Sequence, residues 1–157
     1  MSARAWRAGP EEAETVATLL TAFRDHLDRG RPSDNAILAG VERLIEGLDA
    51  EFLLACADDD SPPTGVAQLR FRFSLWEASP DAWLEDVFVL PAARRHGIGT
   101  ALVTAAVARA GERGSRRIEL DVTEDNAPAL ALYEGIGFSA AAKGARSLYL
   151  GRRLEGE

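Results

Sequence analysis

Residues 87–100 read VFVLPAARRHGIGT, an apolar run followed by a basic loop with two glycines. The apolar run has the character of a β-strand that ends at Pro91, and the helical spacing of Ile98, Leu102 and Val103 indicates a long helix after the loop. The first amides of a helix have no acceptor inside it, and glycines let an anion approach the backbone closely. The order strand, glycine loop, helix therefore predicts a phosphate-binding loop at residues 94–100.

Three kinds of phosphate-binding loop share this position between a strand and a helix. A Walker loop is excluded because no Gly-Lys-Ser/Thr follows the glycines. A dinucleotide fingerprint needs a glycine or alanine where the chain has Leu102, and it needs a sheet of alternating strands and helices that the rest of the sequence does not predict. A pyrophosphate loop of the Arg-x-x-Gly-x-Gly type remains, and Arg94, Arg95 and His96 make it the most basic part of the chain.

The chain as a whole is acidic. Its 157 residues include 18 Lys and Arg against 25 Asp and Glu, a formal net charge of −7. This charge argues against a nucleic-acid partner, which is held by neutralising its phosphates, and favours cationic small molecules. The length predicts one domain over residues 1–157, and no apolar run is long enough to span a membrane. With Cys56 as the single cysteine and no signal segment at the N-terminus, we expect no disulfide, no metal site and a cytoplasmic location.

The segments before the loop predict a strand, two helices and two hairpin-linked strands. Residues 3–8 suit an edge strand, a helical face repeats from Val16 to Leu27, and Ser33 or Asp34 caps a second amphipathic helix. Residues 52–57 form an apolar strand, and the return strand alternates over residues 68–73. The sequence Ser79-Pro80-Asp81 predicts the turn into a further strand over residues 82–90.

The segments after the long helix complete one parallel crossover. Residues 118–122 alternate as a strand, and Asn126 with Pro128 opens a short helix that runs through Ile136. Two short runs, 138–142 and 147–150, predict a closing hairpin. The order of elements predicts an α/β (α+β) fold, with a mixed, mostly antiparallel sheet of six to seven strands and about four helices on its faces.

Two motifs in this order resemble the GNAT superfamily of N-acetyltransferases. The first is the strand ending at Pro91 with Arg94-x-x-Gly97-x-Gly99, and the second is Asn126 followed by Tyr133 and Gly137-Phe138. The resemblance spans residues 82–138 and implies a GNAT-like fold. One departure is Arg95, where many members of the superfamily have glycine.

The resemblance implies acetyl-CoA as donor. The backbone of Val87 and Val89 would bind the pantetheine arm, a strand amide near Phe88 would polarise the thioester carbonyl, and the amides from Arg95 to Thr100 would hold the pyrophosphate. The implied cofactor contacts are Val87, Phe88, Val89, Arg94, Arg95, His96, Gly97, Ile98, Gly99, Thr100, Asn126 and Tyr133. The resemblance also implies a homodimer.

Transfer to an amine by direct attack needs a base and an acid. The resemblance places Tyr133 as the acid that protonates the departing thiolate. Our candidate base is Glu85, acting directly or through water, because partial burial in a mostly apolar strand would suit it to accept a proton. Both Glu85 and Asp86 also suit the solvated face of a strand, and since consecutive residues face opposite sides, one of them at most should enter a given cleft.

Residues 83–89, WLEDVFV, are similar to the corresponding strand of spermidine/spermine and thialysine acetyltransferases. Trp76 as an aromatic wall, with Glu85 and Asp86 as anions, would then bind the acceptor. We expect a small cationic or amino-acid-like primary amine. The open alternatives are a protein amino group, an antibiotic amine, or a CoA-binding sensor module without turnover.

Overall fold

The computed structural model describes residues 2–140 and 148–154. Short 3₁₀ turns at Pro10–Glu12 and Pro91–Ala93 precede α1 and α3. The strands and helices in chain order are β1 Arg4–Arg7, α1 Ala13–His26, α2 Asp34–Glu46, β2 Ala50–Cys56, β3 Gly65–Ser74, β4 Ser79–Val89, α3 Ile98–Glu112, β5 Ile118–Glu119 and α4 Ala127–Gly135. No helix in the described part of the chain is both long and apolar enough to cross a bilayer.

The strands form one sheet in the order β1-β2-β3-β4-β5. The first four are antiparallel neighbours and β5 is parallel to β4, which confirms the mixed, mostly antiparallel sheet and the four helices. The prediction of six to seven strands is wrong, because the described residues contain five. The predicted closing hairpin lies partly outside the described residues, and its described parts, 138–140 and 148–150, are not strands. Runs this short do not by themselves fix a strand pairing.

A turn between β3 and β4 also differs from the prediction. The chain turns at residues 75–78, where Ala78 has a φ of +53°, and Ser79-Pro80-Asp81 already belongs to β4. Pro80 pairs with Phe73 on one side, whereas the pairing with β5 begins only at Ala82. A proline lacks an N–H donor and is tolerated in a strand where one side is unpaired, so its position marks an edge rather than a turn.

The sheet is covered on both faces by helices. On one face α3 packs Ile98 and Leu102 against side chains that include Leu53 and Leu69. On the other face α1 and α2 cover a second cluster around Phe52, Leu54, Val66 and Phe88. Alternate residues of β2 therefore enter opposite cores, which explains why its seven residues are all buried.

Gly65 at the start of β3 sets how closely α3 approaches the sheet. A Cβ atom there would lie 2.6 Å from Cγ2 of Ile98 and 3.0 Å from Cδ1 of Leu102. Ile98 is the first residue of α3, so the missing side chain lets this end of the helix lie directly on the sheet. The close packing places the start of α3 beside the end of β4.

Candidate active site

The parallel strands β4 and β5 separate after a short paired section. Their pairing consists of Ala82 with Ile118 and Trp83 with Glu119. From residue 84 to 89, β4 is paired only with β3 in the described chain. We call residues 84–89 the open edge of β4. Unpaired strand groups form a template for another extended chain, so this edge suits a ligand arm with its own amides.

A β-bulge interrupts β4 at the beginning of the open edge. The register pairs Leu69 with Leu84 but Gln68 with Asp86, so Glu85 is the extra residue. Before the bulge Ala82 and Leu84 face the core under α3, and after it Val87 and Val89 do. The bulge therefore exchanges the faces of β4 and turns Phe88 toward α1 and α2.

The loop after β4 presents the first turn of α3. Gly97 is the N-cap residue with a φ of +78°, a left-handed conformation that glycine adopts without strain. A Cβ atom at Gly99 would have Cδ2 of Leu132 as its nearest neighbour, at 3.4 Å. Arg95 has a φ of +68°, so the position where the chain departs from the superfamily pattern is one whose backbone favours glycine.

Arg94 is held within the protein. Its Nε donates to the carbonyl oxygen of Val89 at 3.0 Å, and its Nη2 lies 3.4 Å from Nε2 of His26 on α1. Its guanidinium also lies 5.9 Å from the ring of Phe88. The side chain therefore ties the end of β4 to α1, and it already occupies the carbonyl of Val89. Arg95 and His96 are exposed.

Asn126 lies directly before α4, and Tyr133 lies in its last turn. Asn126 caps the helix, because its side chain accepts a hydrogen bond from the amide of Ala129 at 3.3 Å. Tyr133 is half-buried, with its ring 5.9 Å from that of Phe138 in an edge contact. Burial raises the pKa of the Tyr133 hydroxyl, and the nearby charge of Asp121 raises it further. The hydroxyl therefore keeps its proton at neutral pH.

The bulge gives Glu85 and Asp86 different surroundings. Glu85 is the more exposed carboxyl of the two, since 42% of its side chain is exposed, and its Oε2 lies 3.6 Å from Nη1 of Arg70. Asp86 is the half-buried carboxyl of the two. Burial raises the pKa of Asp86, and the charges of Glu85 and Asp121 raise it further, while Arg29 opposes them.

A cleft of about 630 Å³ opens beside Glu85 on the outer ends of β3 and β4. We call it the β3–β4 cleft. Trp76, predicted as a wall of the acceptor site, does not line it and lies 93% exposed in the turn at residues 75–78. The polar and aromatic residues that line the β3–β4 cleft are Asp49, Arg70, Phe71, Arg72, Asp81, Trp83, Glu85, Glu119 and Tyr149.

Most of these lining residues were not singled out from the sequence. Arg70 and Arg72 alternate with the apolar residues of β3, which identified them as polar-face residues but not as lining a cleft. Asp121, whose charge raises the pKa of both Asp86 and Tyr133, lies within the alternating run of residues 118–122, as a charged residue between Leu120 and Val122. Within the described residues, His, Cys, Asp and Glu side chains form no group of three that could hold a metal ion.

Comparison with known proteins places this geometry in a family. The model of the acetyltransferase (GNAT) family matches residues 17–138. A crystal structure of a provisionally named acetyltransferase from Arthrobacter sp. FB24 superposes with a TM-score of 0.85 and 32% identity, covering 96% of this chain and 95% of that one. The fold and the order of motifs therefore agree with one family over most of the chain.

Two curated relatives are longer than this chain. Mycothiol acetyltransferase of Corynebacterium aurimucosum is 31% identical over 139 residues, which are 83% of this chain and 43% of that protein. Streptothricin acetyltransferase of Streptomyces lavendulae is 36% identical over 115 residues, 71% of this chain and 57% of that protein. The chain thus spans about half the length of these relatives, and neither name supports the predicted resemblance to polyamine acetyltransferases.

Proposed function

Because the chain belongs to the acetyltransferase (GNAT) family, whose donor is acetyl-CoA, we propose that it transfers an acetyl group to a primary amine by direct attack. The acceptor in this proposal is a small cationic or amino-acid-like molecule, and residues 1–157 act as one catalytic domain. The homodimer implied by the resemblance stays a prediction, which sedimentation velocity would test.

The observation that carries the proposal is the open edge of β4 next to the first turn of α3. An extended amide-containing arm fits the edge, and a diphosphate fits the helix start, where the backbone amides of Ile98, Gly99 and Thr100 have no acceptor inside the helix. Arg95 and His96 add exposed positive or protonatable groups beside that start. The open edge of β4 lies next to the first turn of α3, just as the pantetheine arm of CoA is joined to its diphosphate.

Acetyl-CoA supplies an activated thioester, and the chain supplies proton transfer and polarisation. We assign Tyr133 as the acid for the departing sulfur, since its hydroxyl holds its proton at neutral pH. We keep Glu85 as the base, acting directly or through water, because the bulge turns it into the β3–β4 cleft. An amide near Phe88, on the open edge of β4, would polarise the carbonyl.

An antibiotic amine is the second candidate acceptor. It is favoured by the relative named streptothricin acetyltransferase, which is 36% identical to this chain over the matched residues. The acidic side chains of the β3–β4 cleft suit either kind of cationic acceptor. Initial rates of acetyl transfer over a panel of amino acids, diamines and antibiotic amines separate the two, because the preferred acceptor shows the highest kcat/KM.

Replacement of Tyr133 by Phe tests the catalytic assignment. The variant keeps the ring and its contact with Phe138 but loses the proton donor, so we expect kcat to fall by roughly 10²-fold or more. The affinity for CoA, measured by calorimetry, should stay within about tenfold because the hydroxyl contributes at most one hydrogen bond to binding. Full turnover in the variant would remove Tyr133 from the mechanism, and no turnover in either protein with intact CoA binding would favour the sensor alternative.

A further inference from the structure

The β3–β4 cleft carries charges of both signs. Arg70 and Arg72 project from β3, opposite Trp83 and Asp81 of β4 in the strand register. Arg72 is exposed and has no ion-pair partner among the described residues. Oδ1 of Asp81 is buried without a hydrogen-bond partner in the described part of the chain. The carboxylates of Asp49, Asp81, Glu85 and Glu119 suit a cation, and the two guanidinium groups in the same lining suit an anion.

Arg70 is the cation that lies next to the proposed base. Its Nη1 lies 3.6 Å from Oε2 of Glu85, and both side chains are nearly half exposed. An ion pair this exposed is weak, so an incoming ammonium group can replace Arg70 at Glu85 with little loss. The replacement leaves a guanidinium and an ammonium within a few ångströms of each other, and like charges at that distance repel.

An anionic group on the acceptor itself would remove this repulsion. Arg70 and Arg72 lie two residues apart on one face of β3, which separates their Cα atoms by about 7 Å. A carboxylate between them would receive charge-assisted hydrogen bonds from both guanidinium groups. The amine would then lie at Glu85 and the anion one or two strand residues away, so that Arg70 would face the anion rather than the ammonium group alone.

We infer that the acceptor carries an anionic group in addition to the reacting amine, and that Arg70 and Arg72 bind this group. The inference rests on the proposed function, since it concerns the acceptor of that reaction. It selects an amino-acid-like acceptor over a polyamine, because a second ammonium group would lie beside Arg70 and Arg72. Arg70 and Arg72 are thus specificity-determining residues.

Three matched compounds test the inference with acetyl-CoA as donor. 6-Aminohexanoate has an amine and a carboxylate, 6-aminohexanamide lacks the negative charge, and 1,6-diaminohexane has a second amine. Because two charge-assisted hydrogen bonds are at stake, we expect kcat/KM for the acid to exceed that for the amide and the diamine by about tenfold or more. The preference should appear mainly in KM, since the anion lies away from the reacting atoms.

Variants then assign the preference to the two arginines. Arg70→Gln and Arg72→Gln should each raise KM for the acid and bring the acid-to-amide ratio of kcat/KM toward unity. Arg116→Gln, an exposed arginine before β5, is the matched control and should leave the ratio unchanged. A general loss of structure would lower both rates together and would not change the ratio.

The outcomes separate the inference from the proposed function. Equal or better use of the diamine or the amide by the unchanged protein overturns the inference while acetyl transfer stands. An acid preference that survives in both Arg70→Gln and Arg72→Gln also overturns it. Absence of CoA binding in a calorimetric titration overturns the proposed function and, with it, the inference.

Discussion

Asp86 shows how one extra residue in a strand decides the environment of a carboxyl group. The bulge leaves Glu85 exposed beside Arg70 and places Asp86 in a half-buried position opposite Gln68. Burial disfavours the charged form of an acid, and Asp86 has no ion-pair partner within 4 Å among the described residues to compensate for it. Burial therefore favours the protonated form of Asp86.

The raised pKa of Asp86 predicts how its replacement changes stability with pH. Its pKa is higher in the folded than in the unfolded protein, so its contribution to stability is greatest at low pH and falls as the pH rises through the folded pKa. At pH 7 the charged group is destabilising. We expect Asp86→Asn to raise Tm at pH 7, and the gain to shrink as the pH approaches about 4.

Thermal unfolding monitored by circular dichroism checks this expectation. Glu85→Gln is the matched control, because removing one member of an exposed ion pair should change stability by less than about 1 kcal/mol. A lower Tm for Asp86→Asn at pH 7 would show that the carboxylate is stabilised by a partner in the folded protein, contrary to the burial argument.

At the scale of elements, a buried carboxylate joins β2 to α3. Glu51 is fully buried at the side chain and receives hydrogen bonds from Arg109 at 2.8 and 2.7 Å and from Arg113 at 3.1 Å. Arg113 also stacks on Phe71, with 4.0 Å between its guanidinium carbon and the ring centre. These contacts hold the C-terminal half of α3 on the sheet. The start of α3 lies close to the sheet because Gly65 has no side chain there.

Replacing Glu51 by Gln should therefore be strongly destabilising. The change leaves two guanidinium groups without their buried anion, and loss of one partner from a buried ion pair costs about 3 to 5 kcal/mol. Urea unfolding at pH 7 measures the loss. Glu112→Gln removes the exposed partner of Arg109 and, as the control, should cost less than about 1 kcal/mol.

The cluster of Glu51 with Arg109 and Arg113 also predicts that the protein is less stable in acid. Burial alone would raise the pKa of Glu51, but the hydrogen bonds from Arg109 and Arg113 outweigh it and hold the pKa below its usual value. The stabilisation is therefore present above about pH 4 and lost as the pH falls through the lowered folded pKa. A Glu51→Gln protein as stable as the original at pH 7 would contradict the role of this cluster.

The elements that the sequence predicted well are those with local signals. The helical spacing of α1 and α3, the cap of α2 at Ser33 and the glycine loop before α3 are all confirmed. The bulge at Glu85 and the turn at residues 75–78 were not predicted, because they depend on how two strands align. The burial of Glu51 was not predicted either, because it depends on the packing of α3 against β2. Strand register is a property of pairs of segments, and a single segment does not contain it.

At the scale of the whole molecule, the candidate site is assembled from parts far apart in the chain. Sequence motifs identified the glycine loop and Tyr133, whose roles stay predictions. The β3–β4 cleft could not be predicted, since Arg70 and Glu85 meet only through the pairing of β3 with β4. The separation of β4 from β5 likewise follows from the brevity of β5, which ends at Glu119 although alternation continues to Val122.

The account depends most on CoA binding at the first turn of α3. Isothermal titration with CoA tests it directly, using Thr100→Asp and the control Thr104→Asp, two exposed threonines one helical turn apart. An added carboxylate near a helix N-terminus favours the fold but repels a diphosphate. We predict that CoA binds the unchanged protein and Thr104→Asp alike, and binds Thr100→Asp at least about tenfold more weakly. Equal binding to all three proteins, or no binding to any, would contradict the account.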